Sequence, residues 1–260
     1  MGICGIIAEY DPLHNGHAWQ LSEARRLTGA EKIICVLSGS FTQRGMPALF
    51  SAHTRAAMAL NAGADIVLGL PFSFSVCDAL RFAEGGVHIL KQAGADSLCF
   101  GVEPEGIHVF EQAALLLEHP TPLFRERMHT YLSRGFSFAR AQGEALAAGL
   151  QVENAVLSQP NTVLAICYAR ANLRQCANLQ LYPVPRSGQY HSVALPVDGA
   201  FPSASAIRAA IDAERWEEIS LAVPTASYRL MREAAESGRL CKPGALDALL
   251  RWKLRGRGSS

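Results

Sequence analysis

Four short apolar runs punctuate the first hundred residues: ICGIIA (3–8), KIICVLS (32–38), DIVLGLP (65–71) and DSLCFG (96–101). They are β-rich and almost free of polar residues, as strands buried on both faces are. Helical patterns over 16–28, 52–62 and 75–93 separate them, and each is followed by a glycine placed to cap a helix C-terminus. Strand–helix–strand alternation at this spacing specifies a parallel α/β sheet with right-handed crossovers. About 105–176 then reads as four helices, in GIHVFEQAALLLEH, PLFRERMHTYLSRG, SFARAQGEALAAGL and PNTVLAICYARANLRQC. A fifth strand, LQLYPVP (179–185), returns to the sheet, PSASAIRAAIDAERW opens another helix with Ser203 or Ser205 as cap, and 215–254 is helical and basic.

Charge is informative only in its distribution. The formal net charge is +1, but residues 1–226 carry 16 Lys/Arg against 20 Asp/Glu, whereas 227–260 carry 8 against 3. That segment reads either as a surface for a phosphate backbone or as a solvated helix face. The seven cysteines have no CxxC spacing, and Cys4, Cys35 and Cys99 lie inside the strand runs as small hydrophobes. The expectation is a reduced, cytoplasmic protein without a structural zinc site. No basic stretch precedes the first apolar run and no uninterrupted apolar stretch approaches ~18 residues, so neither a signal peptide nor a membrane span is expected.

The end of the first strand carries the chemistry. In an open parallel sheet, ligands bind beyond the carboxyl ends of the strands, where the strand order reverses. EYDPLHNGH (9–17) leaves that end and enters the first helix. Gly16 allows close approach of the backbone, His17 falls at the helix start where N–H groups and the dipole favour anions, and His14 stands three residues earlier. Two imidazoles there can donate to phosphate oxygens as charge develops in nucleotidyl transfer. The plainer reading is two histidines in an ordinary strand–helix loop. SASAIR (203–208) adds hydroxyls, helix N–H groups and the Arg208 guanidinium, a phosphate grip or else an N-cap beside a surface arginine.

His-x-Gly-His near the N-terminus, with a later Ser-x-Ser-x-x-Arg helix start, resembles the HIGH-motif nucleotidyltransferase superfamily. EYDPLHNGHAWQLSEARRLTGA, VLSGSFTQRGMPALFSAHTRAAMAL, GADIVLGLPF, FAEGGVHIL, DSLCFGVE, SQPNTVLAICY, PVPRSGQYH and FPSASAIR resemble, in order, blocks of the bacterial tRNA(Met) cytidine acetate ligase family. The resemblance covers about residues 1–212. It implies a Rossmann-like α/β domain over 1–212 with a helical insertion at about 105–176, followed by a basic helical segment, 213–260, with C-terminal helices. The activity it implies is ATP-dependent formation of acetyl-adenylate from acetate, with release of pyrophosphate. The acetyl group then passes to the wobble cytidine of elongator methionine tRNA, giving N4-acetylcytidine. Another HIGH-type adenylyl- or cytidylyltransferase acting on a small phosphorylated acceptor, or a nucleotide-binding subunit without turnover, are the alternatives.

By the same resemblance, ATP lies on the first loop, against Ile7, Ala8, Glu9, Tyr10, Asp11, Pro12, Leu13, His14, Asn15, Gly16, His17 and Gln20. Gly101, Asn161 and Arg186 match further nucleotide positions, and each also has a plain reading as turn glycine, helix-start residue and surface arginine. Ser203 and Ser205 complete the nucleotide set, with His14, His17 and Arg208 as the catalytic groups. Ser38, Gly39, Gln43 and Arg44 are expected to line the acyl or tRNA side. No carboxylate cluster declares a metal site, so Mg²⁺ is expected to be held mainly by the phosphates. Asp11 stands where the family usually has Asn, and Met46 replaces a usual acidic residue. Members of the family run well past this length.

Overall fold

The computed structural model describes residues 2–186, 202–242 and 244–255. Ser187 to His191 of the PVPRSGQYH block, Phe201 and the tail beyond Arg255 lie outside the described residues. The elements run β1 (Ile3–Ala8), α1 (Asn15–Thr28), β2 (Lys32–Ser38), α2 (Ala52–Asn61), β3 (Ile66–Leu70), α3 (Phe72–Ser75), α4 (Ala79–Gln92), β4 (Ser97–Val102) and a 3-10 turn at Pro104–Gly106. They continue with α5 (Phe110–Glu118), α6 (Pro122–Ser133), α7 (Phe138–Leu150), α8 (Asn154–Leu157), α9 (Pro160–Arg174) and β5 (Gln180–Pro185). Last come α10 (Ala204–Asp212), α11 (Trp216–Ala222), α12 (Thr225–Glu236) and α13 (Ala245–Arg255).

The sheet has the order β3-β2-β1-β4-β5, so the direction of winding reverses between β1 and β4. β1 pairs with β4, and β4 with β5, in parallel. The expected continuous burial holds for β1, β2 and β4, whose cysteines Cys4, Cys35 and Cys99 are fully enclosed. Burial pushes the Cys4 and Cys99 thiols up, away from thiolate chemistry. All seven cysteines are free.

β3 departs from expectation. Its apolar run predicts burial on both faces, but it is an edge strand and Ile66 is exposed. The other edge, β5, carries Pro183 and Pro185, which an edge tolerates because one row of N–H groups has no partner strand.

The predicted helix over 75–93 starts later than expected, as α4 at Ala79, with Ser75 ending the short α3. Asp78 accepts from Leu80 N at 3.0 Å and Arg81 N at 3.1 Å, and this N-cap starts α4 afresh. The 215–254 stretch divides into α11, α12 and α13, with Pro224 between the first two. Gly29, Gly63 and Gly94 all take positive φ, as the predicted helix stops require.

The chain separates into two compact units: Met1–Ile7, Glu23–Ile34 and Asp78–Ser187 in one, Ala8–Ser22, Cys35–Cys77 and Gly188–Ser260 in the other. In the first, α4 lies close on β1. A Cβ on Gly86 would fall 2.5 Å from Ile7 Cδ1, so the helix approaches only because that position is glycine. Ile7 is thereby packed into the core. α9 packs on α4, α5 and β4. Arg170 and Arg174 of α9 meet Glu118 of α5 at 2.6 and 2.7 Å, and Arg174 also meets Glu84 of α4 at 2.9 Å. In the second unit α2 packs against α12 and β3.

Candidate functional site

The loop after β1 is held by its own histidines. The chain turns at Tyr10, a buried residue with a φ of 49°, a conformation a bulky side chain rarely adopts. His14 is the residue before α1, and its carbonyl accepts from His17 N and Ala18 N at 2.9 and 3.1 Å. Its Nδ1 accepts from Gly16 N at 3.1 Å, so His14 caps the helix with its ring. His17 Nδ1 in turn accepts from His14 N at 3.4 Å. Both rings therefore present Nδ1 as acceptor, and in the neutral form the proton sits on Nε2. The rings stack with centroids 3.7 Å apart and 22° between planes, and Tyr10 lies 4.8 Å from His17. The expected anion-ready helix start is thus modified: Gly16 N is already taken by the His14 ring.

The rest of this loop is braced from elsewhere in the same unit. Asn15 Nδ2 donates to Leu221 O at 2.9 Å. Asp11, buried, accepts from Leu49 N at 3.0 Å and Phe50 N at 3.2 Å. A carboxylate engaged by two N–H groups and 4.0 Å from Arg208 Nη1 is compatible with a nearby polyphosphate, where a solvated one would repel it. Arg208 Nη1 donates to Asp11 O at 2.6 Å and Nη2 to Ser205 Oγ at 3.2 Å. Ser203, not Ser205, caps α10, accepting from Ala206 N at 3.1 Å. Pro12 and Leu13 are buried in the loop, Ala8 and Gln20 are half-buried.

Glu9 is the loop's other carboxylate. Its Oε1 accepts from Gln43 N at 2.5 Å. Burial pushes its carboxyl above the usual range; the Gln43 N–H and the Arg55 and Arg208 charges oppose this, and Asp11 adds to it. Of the residues expected to line the acyl or tRNA side, Ser38 is fully buried, with Oγ and O both accepting from Arg55, and Gly39 O accepts from Arg55 as well. Gln43 is half-buried and Arg44 exposed, on a turn closed by Thr42 N donating to Met46 O at 2.9 Å.

Arg55 is the residue that sequence reasoning missed. An arginine among alanines on a short helix reads as a solvated face, yet Arg55 has no exposed surface. Its Nε donates to Phe50 O at 3.1 Å, Nη1 to Glu9 O at 2.5 Å and Ser38 Oγ at 3.3 Å, and Nη2 to Ser38 O at 3.0 Å and to Gly39 O. One guanidinium thus ties together the chain leaving β1 and the chain leaving β2.

The first unit holds a second set. Gly101, Asn161 and Arg186 come together as the sequence grouping anticipates. A Cβ on Gly101 would lie 2.5 Å from Arg186 Cδ, so the glycine makes room for the arginine stem. Arg186 Nη1 donates to Asn161 Oδ1 at 3.3 Å, and Asn161 Nδ2 donates to Glu103 Oε1 at 2.7 Å. The Asn161 amide is therefore engaged at both ends by protein and acts to position Arg186. Glu103 is the unforeseen member. It also accepts from Asn161 N at 3.1 Å, Thr162 N at 2.6 Å and Thr162 Oγ1 at 2.9 Å, capping α9 from the end of β4. Burial works against the charged carboxylate, but these donors outweigh it and hold the Glu103 carboxyl below the usual range.

Glu103 carries a pH prediction. A depressed folded-state pKa gives stability that is present above the unfolded value of about 4.3 and lost as pH falls through the folded value. Glu103→Gln is expected to cost about 1–2 kcal/mol near neutral pH, the worth of a helix cap with charge-assisted bonds, and the gap to the parent to close in acid. Urea unfolding of both proteins near pH 7 and near pH 3.5 checks this.

A parallel sheet of this order, with paired imidazoles where its first strand hands over to a helix, is the framework of a nucleotidyltransferase. Comparison with known proteins agrees. A family model described as HIGH Nucleotidyl Transferase matches residues 1–260. The chain belongs to the HIGH nucleotidyltransferase family. It is 41% identical over 211 residues to the tRNA(Met) cytidine acetate ligase of Syntrophotalea carbinolica, covering 80% of this chain and 50% of that protein. It is 35% identical over 233 residues to the protein of that name from Anoxybacillus flavithermus, covering 89% and 58%. The crystal structure of Thermotoga maritima TmcAL in its apo form superposes with a TM-score of 0.85 at 31% identity, over 92% of this chain and 58% of that one. The same protein bound with alpha-thio ATP gives 0.84, over 92% and 57%. The chain thus spans between half and three-fifths of the length of these relatives.

Proposed function

We propose that this chain activates acetate with ATP and passes the acetyl group to the wobble cytidine of elongator methionine tRNA, giving N4-acetylcytidine. The observation that carries the reading is the stacked His14–His17 pair with Nδ1 of each ring tied to the loop backbone. The relatives' names and the ATP-analogue complex of the Thermotoga protein support it. Residues 1–212 form the proposed ATP-binding domain, with 213–260 as a basic helical segment. In the segment 227–260, Arg232 and Arg239 are paired with Glu236 and Glu233. The proposed setting is the cytoplasm, and no described helix is long and apolar enough to cross a membrane.

In the proposed reaction an acetate oxygen attacks the α phosphorus of ATP and the bond to the β-phosphate oxygen breaks, giving acetyl-adenylate and pyrophosphate. The chain's part is to hold two anions in line and to meet the charge that develops on the phosphates. His14 and His17 do this through Nε2, and Arg208, steadied by Asp11 O and Ser205, adds a fixed positive charge. Arg186, placed by Asn161 over Gly101 within its own unit, is the proposed further anion contact. Among the described residues no group of three or more His, Cys, Asp or Glu forms a metal cage. Asp11 and Glu9 are engaged by backbone N–H groups, a donor set suited to Mg²⁺ arriving on the phosphates, where it supplies charge neutralisation. The second step, attack of the cytidine amine on the mixed anhydride with release of AMP, rests on proximity.

The family supports a second reading, an adenylyl- or cytidylyltransferase for a small phosphorylated acceptor. Incubation with ATP and labelled acetate separates the two. Acetate-dependent pyrophosphate release and labelled acetyl-adenylate are expected; release that ignores acetate and requires a phosphorylated acceptor overturns the ligase reading.

A further inference from the structure

The helical pair α6–α7 is charged unlike the rest of its unit. Residues 121–140 carry four arginines, Arg125, Arg127, Arg134 and Arg140, against the single acid Glu126. Arginines elsewhere, such as Arg26, Arg170, Arg174 and Arg239, sit on carboxylates. Among the described residues none of the four does. Arg125, Arg134 and Arg140 are exposed.

Aromatic rings stand between these charges. Tyr131 and Phe136 stack at 5.6 Å with 20° between planes, and the Arg140 guanidinium lies 3.9 Å over the Phe136 ring. Stacking uses the face of a guanidinium and leaves its N–H edge for an acceptor. Beside this layered group Phe138 is 64% exposed, an apolar ring held out to solvent on the first residue of α7. Cations explain a polyanion or an acidic protein equally well. An exposed ring among cations favours RNA, because unpaired bases stack on aromatic rings while phosphates meet guanidinium groups.

We infer that the α6–α7 pair is an RNA-docking surface, with Arg125, Arg134 and Arg140 on the phosphate backbone and Phe138 under an unpaired base. The inference rests on the proposed tRNA acceptor and adds a contact surface within the helical insertion, apart from the basic C-terminal segment.

The test uses the chain as it stands, unmodified elongator methionine tRNA and, as control, polyglutamate. Binding is measured between about 50 and 200 mM salt for the parent, the Arg125→Glu/Arg134→Glu double variant and Phe138→Ser. The double variant is expected to bind tRNA at least tenfold more weakly and to lower the slope of log affinity against log salt by about 1.5, two phosphate contacts' worth. Phe138→Ser is expected to weaken binding about fivefold or more with the slope unchanged. Acetate-dependent pyrophosphate release, measured alongside, is expected to match the parent in both variants and so reports an intact fold. Failure of the parent to release pyrophosphate with acetate removes the proposed function, whereas the tRNA titrations decide this surface separately. Affinity and slope within twofold of the parent in both variants overturn it. So does polyglutamate binding as tight as tRNA with Phe138→Ser indifferent, which marks an acidic protein partner.

Discussion

Replacing His17 by alanine is expected to lower acetate-dependent pyrophosphate release by about 10²–10³-fold, the usual loss when one donor to developing charge is removed. The fold should survive. His17 is half-exposed, it lies in the first turn of α1 where alanine is a good helix former and keeps the backbone bond from His17 N to His14 O, and its ring Nδ1 meets the backbone through a long 3.4 Å bond from His14 N. His14→Ala makes the contrast. His14 is 2% exposed and its ring caps Gly16, so its loss combines a kinetic defect with about 1 kcal/mol or more of stability. The measurement is pyrophosphate release at saturating ATP and acetate, beside a urea midpoint for each variant. A His17→Ala protein that turns over within threefold of the parent removes this ring from the mechanism.

The largest stability effect is expected at Arg55. Arg55→Leu leaves the carbonyls of Glu9, Ser38, Gly39 and Phe50 without the donors that now satisfy them, in a position with no access to water. Two carboxylates, Glu9 and Asp11, also lose one nearby cation and keep only Arg208. Stranding several buried acceptors costs about 3–5 kcal/mol, and for a chain of this size that is roughly 6–20 °C in Tm. Arg55→Lys keeps the charge but not the planar fork that reaches three stretches of backbone, so an intermediate loss is expected. Urea unfolding with an unchanged m-value checks it; a leucine variant within 1 kcal/mol of the parent refutes this account of Arg55.

The parts of the molecule that were legible in the sequence share one property: their signal is local. β1, β2 and β4 are buried on both faces and so are written as apolar runs. The His14–Gly16–His17 loop was visible because a strand end, a glycine and a helix start lie within ten residues. β3 misled because an edge strand with the same apolar composition differs only in its neighbours. The break before α4 was readable in principle from Asp78, which precedes three helix formers. Arg55 and Glu103 were not, because their meaning depends on partners up to 46 and 59 positions away. Asn161 was singled out beside Gly101 and Arg186, but that its amide meets Glu103 and Arg186 depends on the fold and is not written locally.

Glu103 has a consequence for how such chains diversify. It stands just beyond β4 and grips the first turn of α9, so the excursion from 104 to 159 leaves and re-enters at one fixed clasp. Apart from α5, which is itself tied to the returning helix through Glu118, the material within that excursion can be lengthened, trimmed or exchanged as a cassette while the strand end and α9 keep their register.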